Sequence, residues 1–357
     1  MEKTKIAAVV VAFNRKQLLL ECLEALKSQT YPLDAIYIID GPSTDGTPET
    51  LLKNGYLNEL PPEEYQEYSW KKENTILGLE GHKILVNYVR LYEDVGGSGG
   101  FHEGVKHSYE NGYDWIWLMD DDAEPMKNAL EELIKNIGLS NAIVLAPTVK
   151  KPTGEVSKFH RGTFSLNRCL PLIQKPLDDE AYNKNNRPVK IDFASFVGPL
   201  IKSHAVKNVG YPNKNFFIQW DDAEFCLRLV NVGKIYLVPN STVIHKEKIA
   251  QTNIIKKSIL GKNVNRIQYN KLWKSYYSRR NSAYIGNKYA TNKAGFLIDL
   301  FKIWALSIIT IIFFDDYKLN RICFINSAYI DGLRGIFDNE KPNRIFDGDK
   351  IKGNFGF

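Results

Sequence analysis

Three consecutive carboxylates follow a short apolar run in the first half of the chain. The run covers residues 115–119, and Asp120, Asp121 and Asp122 come directly after it, with Pro125 close behind. Alternate side chains of an extended segment share a face, so Asp120 and Asp122 should point one way and Asp121 the other. Two carboxylates on one face repel each other unless a cation lies between them, and Mg²⁺ or Mn²⁺ is bound in this way beside substrate phosphates. We predict such a cation site; a solvated acidic turn is the alternative.

A second acidic pair, Asp221 and Asp222, follows the aromatic residues 216–220, which we expect to form a strand. A helix is predicted over residues 223–231, and its dipole favours an ionised carboxylate at its start. An ionised aspartate in a cleft can act as a general base. The alternative is that one of these acids only caps the helix, and one could cap while the other reacts.

Four glycines stand among five residues between a predicted strand, 84–91, and a predicted helix, 101–111. The segment reads Gly96, Gly97, Ser98, Gly99 and Gly100. Glycines allow close approach to a ligand and expose backbone N–H groups, and a following helix N-terminus adds to the preference for phosphate. A flexible linker is the alternative, although the flanking elements argue against it. The spacing is not that of a dinucleotide-binding fingerprint.

One histidine, His245, ends the short apolar segment at residues 243–244. A histidine in that position is more often structural than a ligand. Two carboxylates that need a third metal partner are the reason to consider ligation here.

Hydrophobic patterning predicts the elements that must position these residues. Continuous apolar runs are typical of strands buried on both faces of a parallel sheet, and right-handed crossovers are expected between them. Ligands of such sheets bind beyond the carboxyl ends of the strands, where Arg15, Asp40 and Asp45 lie. We therefore predict an α/β fold with a mostly parallel sheet. The strands are expected at residues 6–13, 35–39, 84–91, 115–119 and 142–147, with helices at 17–28 and 127–137.

Composition adds a charge asymmetry. The net charge is +6, and the positive excess lies mostly in the last third of the chain, where it could serve nucleic acid, anionic lipid or a phosphorylated substrate. The four cysteines are far apart, so neither a zinc site nor a disulfide framework is indicated. The N-terminus does not resemble a signal peptide, and a cytoplasmic setting is the default expectation.

Residues 296–314 are strongly apolar but include Asp299 and Lys302. The uninterrupted apolar part is well under the roughly 20 residues that a membrane span needs. We expect a helix that either packs on the core or lies in a membrane interface beside basic neighbours.

In order and spacing, these motifs resemble those of family 2 glycosyltransferases with the GT-A fold, over about residues 5–250. The resemblance is greatest to the galactofuranosyltransferase and rhamnosyltransferase branch. Two of the motifs, GGSGGF and WDDAEF, are narrower than the rest and resemble galactofuranosyltransferases in particular. The matching residues are 10–15, 39–41 with 44–47, 96–101, 119–122 and 220–225.

The resemblance implies a role for each position. The nucleotide diphosphate of a sugar donor would be held by Arg15, Asp40, Gly96, Gly97, Ser98, Gly99, Gly100 and Asp121. Asp120 and Asp122 match the acids of the metal-binding DXD motif, and His245 matches a metal-binding histidine of this branch. Asp222 matches the acid proposed as base. The acceptor side would comprise Trp220, which could stack on a sugar, together with Asp221 and Glu224.

The predicted function is that of an inverting, Mg²⁺- or Mn²⁺-dependent transferase. It would move galactofuranose from UDP-galactofuranose onto a lipid-linked or growing surface glycan at the inner face of the cell membrane. Residues 1–250 would form the GT-A domain, and residues 251–357 would form a helical, basic region that associates with the membrane. Alternatives are a dTDP-rhamnose donor and a metal-dependent nucleotidyltransferase. Nucleic-acid binding is not expected, because no RNA- or DNA-reading motif is present.

Overall fold

A mixed sheet organises the first of two compact units in the computed structural model, which describes residues 4–64, 67–171, 173–183, 187–246, 254–259 and 262–350. The first unit comprises Met1–Thr163, Lys175–Lys214 and Asp221–Glu247. The second unit comprises Phe164–Gln174, Asn215–Trp220 and Lys248–Phe357.

Strands and helices both contribute to the first unit. In chain order they are β1 (Ile6–Ala12), α1 (Lys16–Lys27), β2 (Ala35–Asp40), α2 (Thr47–Lys53), β3 (Trp70–Leu77), β4 (Lys83–Arg90), α3 (Gly96–Glu110), β5 (Trp115–Asp120), β6 (Ala123–Pro125), α4 (Ala129–Ile134), β7 (Ala142–Lys150), β8 (Arg161–Phe164), β9 (Gln174–Pro176), α5 (Asp179–Asn183), β10 (Val189–Ile191), β11 (Phe193–Ala194), β12 (Leu200–Lys202), α6 (Ser203–Val209), α7 (Asp221–Leu229) and β13 (Lys234–His245). Strands β8 and β9 each reach the second unit by one residue.

The main sheet runs in the order β10-β13-β7-β12-β5-β1-β2-β4-β3, and β6 pairs with β13. Strands β5, β1, β2 and β4 are mutually parallel, so their C-terminal ends meet at one edge. Register places Asp40 beside Ala12 and Asp120 beside Val11. The central strands are buried on both faces, as their continuous apolar sequences require. The predicted fold class is confirmed: a mixed sheet with parallel central strands and flanking helices.

The glycine segment is helical and is not the predicted loop. Helix α3 begins at Gly96, five residues earlier than expected. A Cβ added at Gly100 would lie 2.4 Å from Val11 Cγ1, and one added at Gly104 would lie 2.2 Å from Val9 Cγ1. These glycines therefore let the helix pack closely on β1, which is a structural reason for their position.

Helices dominate the second unit. Its elements are the hairpin β14 (Ile254–Ile259) and β15 (Lys262–Ile267), then α8 (Trp273–Tyr289), α9 (Lys293–Phe314), α10 (Lys318–Arg334) and α11 (Lys341–Lys350). Tyr276 and Tyr277 of α8 pack with Phe324 and Ala328 of α10 in a small apolar core. The predicted C-terminal helical region is confirmed, and the hairpin is an addition to it.

The aromatic segment before the second acidic pair belongs to this unit and is not the predicted strand. Phe217, Gln219 and Trp220 have φ values of 65°, 67° and 66°, in the left-handed region. Nδ2 of Asn281 in α8 donates to three carbonyl oxygens of the segment at 2.8, 3.0 and 3.1 Å. This one amide therefore stabilises a backbone conformation that strand patterning does not predict.

Helix α9 covers the apolar stretch at residues 296–314, and the expected helix is present. It has 22 residues and is long and apolar enough to cross a membrane, by length and composition alone. The hydroxyls of Ser307 and Thr310 donate to carbonyl oxygens one turn earlier, so both are satisfied within the helix. Only part of its surface packs on the rest of the unit.

Candidate active site

Asp120, Asp122 and His245 lie together at the carboxyl end of β5. Strand β13 pairs with β6, and this register sets His245 beside Ala123, directly after the acidic triplet. His245 Nε2 lies 3.0 Å from Asp122 Oδ1 and 3.9 Å from Asp120 Oδ2. One ligand atom from each of the three side chains lies within 4.8 Å of the others. The structure thus brings together the three residues assigned to the metal.

The chemistry of this cluster fits a divalent cation. Two carboxylates suit Mg²⁺ or Mn²⁺, and the imidazole adds a preference for a transition-metal ion. Burial and the charge of Asp122 raise the pKa of Asp120. Burial alone would also raise the pKa of Asp122, but the hydrogen bond and charge of His245 and the charge of Arg15 lower it. A cation held here would relieve the repulsion between the two carboxylates.

Asp121 is not a member of the three-residue cluster, and it holds Arg15. Its Oδ1 accepts a hydrogen bond from Arg15 Nη1 at 3.1 Å, and its Oδ2 accepts one from the backbone N–H of Phe13 at 3.3 Å. Arg15 Nη1 also donates to Asp122 Oδ2 at 2.7 Å, while the side chain stays 48% exposed. Arg15 can therefore reach a ligand, whereas Asp121 holds the turn after β1.

Asp40 acts from inside the fold. Its carboxylate is fully buried and accepts hydrogen bonds from Ser43 Oγ at 2.6 Å, Tyr88 Oη at 2.6 Å and Arg90 Nη1 at 2.7 Å. Arg90 also donates to the carbonyl oxygen of Gly41. The expected direct contact with a diphosphate is wrong for a carboxylate so enclosed. Asp40 instead positions the turn that follows β2.

The glycine segment forms the first turn of α3, so a phosphate bound here would meet the N-terminus of a helix and not a loop. Gly96 and Gly97 are half-buried, and Ser98, Gly99 and Gly100 are buried against the sheet. The Gly96 N–H already donates to Asp94 Oδ1 at 2.9 Å. The other N–H groups of the first turn have no partner within the helix, so the preference for an anion is kept at the N-terminus of α3.

Asp221 and Asp222 form the first turn of α7, which begins two residues earlier than predicted. Asp222 Oδ1 accepts a hydrogen bond from the N–H of Ala223 at 2.7 Å. Burial raises the pKa of both acids; for Asp222 the charges of Asp221 and Asp120 raise it further. Burial therefore opposes the effect of the helix dipole at both acids.

Glu224 is not available to an acceptor. It is 2% exposed, and its Oε2 accepts hydrogen bonds from Arg228 Nε at 3.0 Å and Nη2 at 2.8 Å. Arg228 also donates to the carbonyl oxygen of Tyr211 at 3.0 Å. The expected acceptor contact is corrected to an internal ion pair, one helical turn apart, that ties α7 to the segment before it.

Trp220 lies in the second unit. Its indole Nε1 donates to Ser278 Oγ of α8 at 3.2 Å. Stacking of this indole on a sugar stays a prediction.

His160 is a site neighbour that sequence reasoning missed. Its ring contacts the ring of His245 edge to face, with centroids 4.9 Å apart, and its Nδ1 lies 2.8 Å from Ser195 Oγ. Burial, followed by the charges of His245 and Arg161, lowers the pKa of His160 to about 3, so the ring is neutral. Nothing in the mixed composition around residue 160 distinguishes this histidine, and only the fold reveals its position.

Comparison with known proteins gives a family and a fold. The model of the family described as "Glycosyl transferase family 2" matches residues 7–55 and 72–210. Galactofuranosyltransferase GlfT1 of Mycolicibacterium smegmatis is 25% identical over 230 residues, which are 64% of this chain and 66% of that protein. The chain thus spans just under two thirds of that relative's length.

Two crystal structures share the fold. That of S. aureus TarS 1-349 has a TM-score of 0.53 and 13% identity, and the match covers 99% of this chain and 94% of that one. That of GalNAc-T7 with UDP, GalNAc and Mn²⁺ has a TM-score of 0.52 and 15% identity, and the match covers 70% of this chain and 45% of that one. At these identities the likeness concerns the fold alone.

Proposed function

Since the chain belongs to glycosyl transferase family 2, we propose that it moves a sugar from a nucleotide-sugar donor to a glycan acceptor with the help of a divalent cation. The observation that carries this proposal is the cluster of Asp120, Asp122 and His245, whose ligand atoms lie within 4.8 Å of one another at a strand end. These three residues would hold the ion.

The donor's diphosphate is the leaving group, and the chain offers it positive partners. The bound cation would neutralise charge that develops on the diphosphate. Arg15 is half exposed beside the acids and offers a guanidinium, which binds phosphate oxygens through paired N–H donors. The N-terminus of α3 adds backbone N–H groups. GalNAc-T7, which shares the fold, is described with UDP and Mn²⁺.

Asp222 is proposed as the base that takes the proton of the acceptor hydroxyl. Burial and neighbouring acids raise the pKa of Asp222, which suits a group that must accept a proton near neutral pH. One such base suffices for a single displacement, and a single displacement inverts the anomeric centre.

Galactofuranose is the proposed sugar, with UDP-galactofuranose as donor. The support is the resemblance of the glycine and WDDAEF motifs, together with a relative named as a galactofuranosyltransferase. A donor of dTDP-rhamnose is the alternative. The proposed acceptor is a lipid-linked or growing surface glycan at the inner face of the cell membrane.

The nucleotide product tests this proposal. Purified protein is incubated with Mn²⁺ and either UDP-galactofuranose or dTDP-rhamnose, with alkyl glycosides as acceptors and water as the fallback acceptor. We expect UDP to be released from UDP-galactofuranose, and release to stop in EDTA and in the Asp222→Asn variant. The Asp179→Asn variant is the control, because Asp179 is an exposed acid paired with Lys158.

Each other outcome has a defined meaning. Release of dTDP alone would show that dTDP-rhamnose is the donor, and the proposed chemistry of transfer would be unchanged. Release of UMP with pyrophosphate would contradict sugar transfer and favour a nucleotidyltransferase. Turnover that survives EDTA would contradict the role of the cation.

A further inference from the structure

One half of α9 presents large apolar side chains that the rest of the unit does not cover. They are 46–64% exposed, although each would be buried in an ordinary core. At 100° per residue they fall within one half of the helix circumference, opposite the buried Phe296, Leu300 and Ile311. The exposed residues are Leu297, Ile298, Phe301, Leu306, Ile309, Ile312 and Phe313.

This apolar face runs along most of the helix. From Leu297 to Phe313 it spans seventeen residues, which is about 25 Å at 1.5 Å per residue. In this fully described helix, Lys302 is the one charged residue on the exposed half, and its side chain is 68% exposed. Asp299 lies at the edge of the packed half, where it pairs with Arg168 at 3.1 Å. So continuous an exposed face indicates a binding surface.

The charge of the surrounding unit indicates what covers it. Residues 254–350 contain seventeen Lys and Arg against eight Asp and Glu, a net charge of +9, whereas the whole chain carries +6. A second copy of the chain would bring the same positive charge to the contact. A bilayer with anionic head groups offers both an apolar interior and negative charge, which is the combination that this face complements.

We propose that α9 docks the protein on a bilayer that contains anionic lipid, and that the helix lies along the interface with its exposed half in the acyl region. A spanning orientation would remove the packed half from its partners. Phe296 is fully buried, and Trp304 Nε1 donates to Asn326 Oδ1 of α10 at 2.7 Å. Spanning would also carry the Arg168–Asp299 pair toward hydrocarbon. An in-plane helix keeps all of these contacts.

The surface and its lipid partner do not depend on the proposed chemistry. Docking would nevertheless hold the protein at the surface where lipid-linked acceptors are found. The proposal specifies that α9 makes the membrane contact and that it does so as a helix in the plane of the interface.

Vesicle flotation tests the proposal. Full-length protein is mixed with vesicles of phosphatidylcholine alone or of phosphatidylcholine with phosphatidylglycerol. We expect the protein to float with the anionic vesicles, and the Phe301→Ser/Phe313→Ser variant to lose about tenfold or more in partitioning, since apolar burial drives such binding. Tyr68→Ser is the matched control: Tyr68 is 78% exposed, in the first unit, and its loss should change nothing.

Three further measurements make the result decisive. Equal thermal unfolding of the variant and the wild type shows that the exposed replacements leave the fold intact. Metal-dependent UDP release from a soluble donor should be unchanged in the variant. A failure of the docking proposal can therefore be distinguished from a failure of the proposed function. Alkaline carbonate should strip the bound protein, because an in-plane helix is not a span.

The proposal is overturned if the wild type floats with neither vesicle, or if the variant binds as well as the wild type. It is also overturned if the bound protein resists carbonate, which indicates a span. A lipid-free dimer that the double substitution dissociates would overturn it too, because a second copy would then be what covers α9.

Discussion

Asp222 lies in the first turn of α7, where two effects oppose each other. The helix dipole favours the ionised form by about 0.3–1 kcal/mol, which is less than one pKa unit. Burial favours the protonated form by more than this, and the charges of Asp221 and Asp120 act in the same direction, so the pKa of Asp222 rises to about 8. A carboxylate near a second acid cluster thus becomes a stronger base than an exposed aspartate.

This raised pKa predicts the pH dependence of turnover. A base must be deprotonated to accept the acceptor's proton, so kcat/KM should fall by about tenfold per pH unit below the pKa of Asp222. The midpoint of this fall should lie between the ordinary aspartate pKa of 3.8 and the raised pKa of about 8, because a bound cation lowers the pKa of neighbouring groups. A pH profile with saturating Mn²⁺ checks this.

Asp222→Asn should remove nearly all turnover, and Asp179→Asn should leave the profile unchanged. If kcat/KM did not change between pH 3.8 and about pH 8, another group would be the one that takes the proton. Full activity in Asp222→Asn would lead to the same conclusion.

Single residues were predictable where spacing alone decides their position. Strand alternation predicted that Asp120 and Asp122 share a face, and the structure brings their ligand atoms together with that of His245. The environment of Asp40 was not predictable, because Tyr88 and Arg90, which enclose it, lie 48 and 50 positions further along the chain. Such partners arise only when the chain folds, and local sequence carries no sign of them.

At the scale of elements, the contact between α3 and β1 determines where the N-terminus of α3 lies in the site. Gly100 and Gly104 face Val11 and Val9, and both valines belong to the strand that ends beside Arg15. A larger side chain would push the helix away from the strand. The glycines therefore control how closely the N-terminus of α3 approaches the other strand ends.

Two substitutions in α3 separate this packing from helix propensity. Gly104→Ala places a Cβ 2.2 Å from Val9 Cγ1, and we expect it to lower the free energy of unfolding by about 1–3 kcal/mol through overpacking. Gly97→Ala meets nothing within 4 Å, and it should be neutral or stabilising by up to about 1 kcal/mol, because alanine favours helix. Urea denaturation measures both. Equal stability of the two variants would show that packing is not the reason for these glycines.

Elements were predictable where periodicity is strong. The apolar runs of β1, β2, β4 and β5 predicted a parallel sheet and the edge at which ligands bind. The same reasoning failed at residues 216–220, where aromatic residues indicated a strand. Their backbone is instead fixed by the Asn281 amide, 62–65 positions further along the chain, and periodicity does not report so distant a contact.

The two compact units of the molecule do not correspond to two continuous segments of the chain. Residues 164–174 and 215–220 join the C-terminal helices in the second unit, although they come from the middle of the sequence. Composition could predict that the last third is helical and basic, since those features are local. It could not predict these insertions, which depend on contacts such as Trp220 with Ser278. The boundary at residue 250 stays a prediction.

The central claim is that Asp120, Asp122 and His245 together hold a divalent cation for a nucleotide-sugar donor. Mn²⁺ binding followed by electron paramagnetic resonance, with and without UDP, tests it without knowledge of the acceptor. We expect the wild type to bind Mn²⁺ more tightly with UDP present. Asp122→Asn and His245→Gln should each weaken binding by about 10–100-fold, while Asp179→Asn binds normally. Wild-type affinity in Asp122→Asn, or Mn²⁺ binding that ignores UDP, would contradict the account.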